Sequence, residues 1–280
     1  MQVDLNPQNQ GKKLWHRLVE RNLDHGGVLA EITGAMGTSK TACLLFLCDY
    51  IMKHRPYERI FFREQVNAPL QIFKIGDPSK FSFYVKSDAE IQFLDRNNRL
   101  APVNIHHKLF DTYDDLYEMT EPNKVSVVFF KDDEEWMDFI EYLRGVGEWT
   151  NILVDEMADI TPEGAGGDLF RRIEKFSTTM GAVRRCMMNV IYNTQSVGDL
   201  HWKIRHKVMM HIYFRGARKD RNSRIAQKYI DSLDVNERKG NEAWIEQSGE
   251  FGKIRFSSIY KPNPKYHIEA HRVEKKEEND

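Results

Sequence analysis

The sequence predicts an α/β protein of three layers, with a mostly parallel central sheet between helices. Three observations carry this. Short apolar runs alternate with helical patterns along most of the 280 residues, the order that places parallel strands side by side. A glycine-containing turn, Gly34-Ala35-Met36-Gly37-Thr38-Ser39-Lys40-Thr41, stands between an apolar run at 28–32 and a longer one at 42–51. Two further apolar runs, 151–154 and 189–192, each end in a cluster of polar side chains.

The turn at 34–41 has the layout of a phosphate-binding loop: strand, glycine-bearing turn, Lys-Thr, helix. Its backbone N–H groups and the helix N-terminus form a cradle for anions. Gly34, Gly37, Thr38, Ser39, Lys40 and Thr41 are the expected nucleotide contacts, with Lys40 reaching the β- and γ-phosphates of ATP and the Thr41 hydroxyl holding Mg²⁺. Ser39 occupies the place where the pattern expects glycine, which lets the backbone approach phosphate closely.

The run at 151–154 ends in Asp155-Glu156. A strand beside the phosphate-loop strand can deliver an aspartate to the Mg²⁺ shell, and a glutamate directly after it can act as general base toward the attacking water. Asp155 is therefore the expected metal ligand beside Thr41, and Glu156 the expected base. The run at 189–192 ends in Asn193-Thr194-Gln195. A polar tip on a strand between the two motif strands suits a sensor of the γ-phosphate or the lytic water; Gln195 is the first candidate, Thr194 and Asn193 the others.

Remaining elements follow in chain order. Residues 13–22 read as a short amphipathic helix with Leu14, Trp15, Leu18 and Val19 on one face. Pro56 ends the helix after the loop, and 59–63 reads as a strand. Strand-like runs follow at 70–75 and 81–86, then a strand at 124–131 and a helix at 132–144 whose acidic start suits the helix dipole. A helix spans 168–185, a strand 208–214, and a helix beginning near Asp220 reaches 233. Residues 243–247 and 252–259 pair as a hairpin across Ser248-Gly249-Glu250. The expected organisation is an N-terminal arm and helix (1–23), an ATPase core (24–216) with an insertion at 64–121, a C-terminal helix and hairpin (217–273), and a disordered charged tail (274–280).

Composition narrows the partners. The 41 Lys and Arg residues nearly cancel 42 Asp and Glu, for a net charge of −1, so any nucleic-acid contact must come from a local patch. Basic residues gather late: Lys203, Arg205, His206, Lys207, then Arg215, Arg218, Lys219, Arg221 and Arg224. The three cysteines have no metal-binding spacing and read as reduced core residues of a cytoplasmic protein, in host cytoplasm if the source is viral. A polar N-terminus and the absence of a long apolar run argue against a signal peptide and membrane insertion.

With these motifs in this order, residues 28–224 resemble the FtsK/HerA superfamily of DNA-pumping ATPases. Val154-Asp155-Glu156-Met157-Ala158-Asp159 is similar to the acidic strand end of those motors, including the Ala-Asp that follows the glutamate. The strand ending in Thr194-Gln195, the next apolar strand and the basic turn after it are also similar. The resemblance implies a RecA-like core of the ASCE type, in which one strand separates the two motif strands. It implies a ring, expected to be hexameric, and an arginine reaching into the neighbouring subunit's ATP site; the matching position is Arg184, with Arg185 beside it. It implies double-stranded DNA as partner and, for so compact a motor, a role in viral or mobile-element genome packaging or transfer, docked on a capsid, portal or transfer-channel protein. Residues 64–121 match no part of the pattern. Other readings are a Zot-like phage assembly or secretion ATPase, which calls for a transmembrane helix after the motor; a degenerate nucleotide-binding structural partner; and a small-molecule kinase, which the Thr194-Gln195 strand does not suit.

Overall fold

A computed structural model describes residues 7–21, 26–74, 77–101, 105–236, 240–256 and 267–273. The expected tail at 274–280 and residues 1–6, 22–23 and 257–259 of the expected arm and hairpin lie outside them. In chain order the elements are α1 (Pro7–His16), β1 (Leu29–Thr33), α2 (Lys40–His54), β2 (Arg59–Arg63), α3 (Gln71–Lys74), β3 (Phe81–Lys86), β4 (Ile91–Asp95), β5 (His107–Phe110), α4 (Tyr113–Met119), β6 (Val125–Phe129), α5 (Glu135–Val146), β7 (Thr150–Val154), α6 (Gly167–Ala182), β8 (Met188–Thr194), α7 (Trp202–Arg205), β9 (Met210–Tyr213), α8 (Gln227–Asp231), β10 (Val235–Asn236), β11 (Gly240–Gln247), β12 (Glu250–Phe256) and β13 (Ile268–Arg272).

An 11-stranded sheet runs β10-β11-β9-β1-β8-β7-β2-β6-β3-β5, with β12 paired to β11. Every neighbouring pair from β9 to β5 is parallel. β1, β6, β7 and β8 are buried along their whole length, because helices cover both faces; this is why they read as unbroken apolar runs rather than alternating ones. One face packs Leu44, Leu47 and Ile51 of α2 over Ile32 and Ile191. The other packs Phe139 and Ile140 of α5 and Ile173 and Phe176 of α6 over Ile152 and Val190. β8 lies between β1 and β7, in register Thr33 with Thr194 and Val154 with Tyr192, so the three polar strand ends lie together at one end of the sheet.

The segment 64–121 adds β3 and β5 to that sheet, while β4 pairs with β13 in a separate two-stranded sheet. The hairpin β11–β12 extends the opposite edge, and α1 lies on β12 so closely that a Cβ at Gly11 would sit 2.2 Å from the Lys253 carbonyl oxygen.

Three local expectations differ from the structure. The first helix starts at Pro7 and ends at His16, since proline suits a first helical turn; Leu18 and Val19 are buried in the turn that follows. Residues 71–74 form a helical turn, not a strand. The late helix covers only 227–231. Before it, Asp220 accepts from the Asn222 N–H at 2.8 Å and Glu246 from the Arg224 N–H at 2.8 Å, side-chain bonds that compete with helix formation.

Candidate active site

The loop at 34–39 leaves β1 and enters α2 at Lys40. Gly34 has no room for a side chain: a Cβ would meet Phe214 Cβ at 2.6 Å and Thr38 Oγ1 at 2.7 Å. Thr38 Oγ1 donates to the Ala35 carbonyl at 2.6 Å and tightens the turn. The Ala35 N–H donates to the Arg215 carbonyl at 3.0 Å, which ties the loop to the basic turn after β9. No side chain caps α2, so its first N–H groups stay open toward an anion.

Ser39 carries φ 71° and ψ 29°, the left-handed conformation that glycine adopts freely. Here lies the physical reason the pattern expects glycine. Ser39→Gly should raise the midpoint of thermal unfolding by removing a cost of about 1 kcal/mol, and leave affinity for a fluorescent ATP analogue unchanged or tighter. Loss of nucleotide binding in that variant would mean that the Ser39 hydroxyl makes a necessary contact.

Lys40 is buried, and its ammonium donates to the Gly34 carbonyl at 2.9 Å and the Ala35 carbonyl at 3.1 Å. Burial pulls it below the ordinary lysine range, against the nearby charges of Glu156 and Asp155. Thr41 Oγ1 donates to Asp155 Oδ1 at 2.9 Å, and Asn193 Nδ2 donates to the same oxygen. A hydroxyl and a carboxylate in contact are donors that Mg²⁺ takes together with phosphate oxygens and waters, so Thr41 and Asp155 fit the metal. Among the described residues, no group of three or more His, Cys, Asp or Glu side chains forms a closed metal cage.

Glu156 follows at φ 55° and ψ 75°, also left-handed. Its N–H donates to Asn193 Oδ1 at 2.8 Å, and its carboxylate accepts from Thr194 Oγ1 at 3.1 Å; the nearby Gln195 N–H also favours the charged form. Burial pushes both Asp155 and Glu156 above the ordinary carboxylate range. Phosphate-loop residues 34–41, Asp155, Glu156 and the 193–195 strand end thus converge on one site. The Gln195 side chain is exposed beyond the strand tip, whereas Asn193 is buried and touches Asp155, Thr41 and the Glu156 backbone. Arg184 stands elsewhere. It is exposed in the turn before β8, at the end of the sheet away from the phosphate loop, on a cleft of about 870 Å³ that Gly26, Gly27, Arg205 and His206 also line.

Two charged residues at the end of β2 were not singled out by motif reading. Arg63 is 1% exposed and donates to the Asp155 backbone carbonyl. Glu64, equally buried, accepts from the Gln71 N–H, while its Oε2 has no partner. The available signal was the Arg-Glu pair closing an apolar strand, since fully buried charges are rare unless paired. Burial, with Asp155 nearby, raises the Glu64 carboxyl to about 8. The folded protein therefore holds a proton that the unfolded chain releases near pH 4.5, and stability falls as pH rises from there through 8. The slope reaches at most about 1.4 kcal/mol per pH unit. Glu64→Gln should flatten that decline in urea unfolding measured from pH 5 to 8; an unchanged slope would mean that Glu64 is ionised throughout.

No protein-family model matches the chain, and no curated protein sequence does. Solved structures do. The genome packaging NTPase B204 of Sulfolobus turreted icosahedral virus 2, in complex with ATPγS, aligns with a TM-score of 0.50 at 13% identity, over 86% of this chain and 99% of that one. The same protein in complex with AMP aligns at 0.50 and 14% identity, over 87% and 100%. The N-terminal domain of zonular occludens toxin from Neisseria meningitidis, at 0.36 and 12% identity over 86% and 96%, is too distant to favour either motor reading. The chain accordingly has the RecA-like P-loop NTPase fold, with the strand order that puts β8 between the two motif strands.

Proposed function

We propose that the chain is an ATP-hydrolysing motor that moves double-stranded DNA, in a viral or mobile-element packaging or transfer machine. The observation that carries the ATPase reading is the contact of Thr41 with Asp155, bridged by Asn193, beside a phosphate loop and next to Glu156. ATP binds with its phosphates on the loop N–H groups and Lys40, which exchanges its contacts with the Gly34 and Ala35 carbonyls for phosphate oxygens. Thr41 and Asp155 would hold Mg²⁺, which would supply positive charge to offset that of the phosphates. Glu156 takes a proton from the attacking water; Thr194 and the Gln195 N–H orient its carboxylate, and the Gln195 side chain takes the sensor position at the strand tip.

Arg184 cannot serve its own site. β8 separates them, and its 7 residues span roughly 20 Å at the usual rise. A guanidinium there stabilises transferred phosphoryl charge only in a neighbouring copy, which favours a homo-oligomeric ring, hexameric by the resemblance. Among the described residues, no helix is long and apolar enough to cross a membrane.

For DNA, the two halves of the basic stretch differ. Lys203 and Arg205 are paired with Glu174 and Glu163. Arg215, Arg218, Arg221 and Arg224 are exposed on the turn that the phosphate loop touches through Arg215. The double variant Arg218→Ala/Arg221→Ala should keep DNA-independent hydrolysis, lose most stimulation by duplex DNA, and lower the slope of log affinity against log salt by about 2. An unaltered slope would move the DNA path elsewhere. The whole reading is tested by ATP-dependent displacement of a third strand from duplex DNA: release with ATP and none with a non-hydrolysable analogue is expected, and release in neither case contradicts translocation. A capsid, portal or transfer-channel protein is the expected docking partner of such a motor.

A further inference from the structure

The backbone of Glu156 lies at φ 55°, where a residue with a side chain is strained by about 1–2 kcal/mol. Its surroundings must hold it there. On one side the Glu156 N–H is fixed by Asn193 Oδ1 at 2.8 Å. On the other, Arg63 Nη1 donates to the Asp155 carbonyl and, at 3.3 Å, to the Glu156 carbonyl. Arg63 therefore grips the two peptide units that flank the Glu156 Cα.

Arg63 does not act alone. Its Nη2 donates to Asp133 Oδ1 at 2.9 Å and Asp159 Oδ2 at 3.1 Å. Asp133, between β6 and α5, also accepts from Arg272: Nη1 to Oδ2 at 3.1 Å and Nη2 to Oδ1 at 2.8 Å. Arg272 closes β13, whose strand partner is β4, not a strand of the central sheet. Residues 67–70 are fastened to β13 as well, through the Asn67 N–H on the Ala270 carbonyl and the Leu70 N–H on the Ile268 carbonyl, each at 2.8 Å. A continuous chain of charged hydrogen bonds thus runs from the small sheet to the backbone of the glutamate.

We propose that Arg63 is a positioning residue for Glu156, and that the Arg272–Asp133–Arg63 chain passes the placement of the β4–β13 sheet to the Glu156 backbone and so sets the hydrolysis rate. The inference rests on the reading of Glu156 as the base. The physical ground is the cost of separating these groups. Charge-assisted, forked hydrogen bonds hold direction as well as distance. A buried charge that loses its partner is strongly disfavoured, so the members shift together rather than apart. Asp159, the acidic residue after Glu156-Met157-Ala158, has its place here as the second anchor of Arg63.

Replacing Arg63 outright would strand Asp159, leave Asp133 with Arg272 alone, and threaten folding. The test therefore uses Arg272→Gln, at a side chain 24% exposed on a strand end, with Arg272→Lys as the conservative variant. Three readings are made on the full chain: steady-state ATP hydrolysis, affinity for a fluorescent ATP analogue, and hydrogen–deuterium exchange over 155–160 and over 29–33. For Arg272→Gln we expect kcat to fall about tenfold, as for a modest misplacement of a catalytic group, with nucleotide affinity unchanged. Exchange should quicken over 155–160 and not over 29–33, and Arg272→Lys should recover part of both effects. A lower unfolding temperature with unchanged kcat and unchanged exchange over 155–160 would make the chain merely structural and overturn the proposal. Glu156→Gln, run alongside, separates the two failures. If it is inactive while Arg272→Gln behaves as wild type, only the positioning proposal falls; if it hydrolyses like wild type, the base assignment falls and this inference with it.

Discussion

Glu156→Gln should bind ATP as tightly as the wild type and turn it over slower by about 10²- to 10⁴-fold, the usual contribution of a positioned general base. The amide keeps the shape of the side chain and its bond from Thr194 Oγ1, and it leaves Lys40, Thr41 and Asp155 untouched. The effect therefore falls on kcat and not on binding. Lys40→Ala offers the contrast: it removes ground-state phosphate contacts and should weaken ATP affinity itself. Because burial raises the Glu156 carboxyl, wild-type turnover should climb with pH through a midpoint above the ordinary glutamate range. Single-turnover hydrolysis and analogue binding, measured together, check the split; near-normal turnover in Glu156→Gln would remove the residue from its assigned role.

Arg184→Ala should retain ATP binding and lose about 10³-fold or more in turnover, the scale of an arginine supplied in trans. If one copy's Arg184 completes the next copy's site, activity per subunit of the wild type should rise steeply with protein concentration. The decisive experiment mixes Arg184→Ala with Glu156→Gln protein. In mixed assemblies some sites join an intact Glu156 to a neighbour's intact Arg184, so activity should reappear. An exposed arginine with no role in hydrolysis could not produce this rescue. Mixed assemblies that form and stay inactive would exclude Arg184 and turn attention to Arg185, Arg215 and Arg218.

The central strands and the phosphate loop were legible in the sequence because parallel strands buried on both faces read as short unbroken apolar runs, and because a strand–turn–helix with Lys-Thr has few other uses. Strand 59–63 and the hairpin turn at Ser248-Gly249 were read at their observed positions for the same kind of local reason. Other features depend on what comes together only in the fold. The run at 70–75 is too short for its periodicity to separate strand from helical turn. Pleat parity along 189–195 puts Asn193 and Gln195 on one side, yet the strand ends at Thr194 and the chain bends, so only Asn193 enters the buried cluster with Asp155. Arg63 reads as an ordinary strand-end charge until Asp133, Asp159 and Arg272, from three distant parts of the chain, are seen around it. The pairing of β4 with β13 has no local signature at all.

The most direct test of an ATP-driven DNA motor is the initial rate of phosphate release from Mg-ATP, with and without linear duplex DNA, set against Glu156→Gln as the inactive baseline. Release above that baseline is expected from the wild type alone, with a clear rise when duplex is added, steeper at low salt. Release no faster than the Glu156→Gln baseline under both conditions would contradict the motor reading.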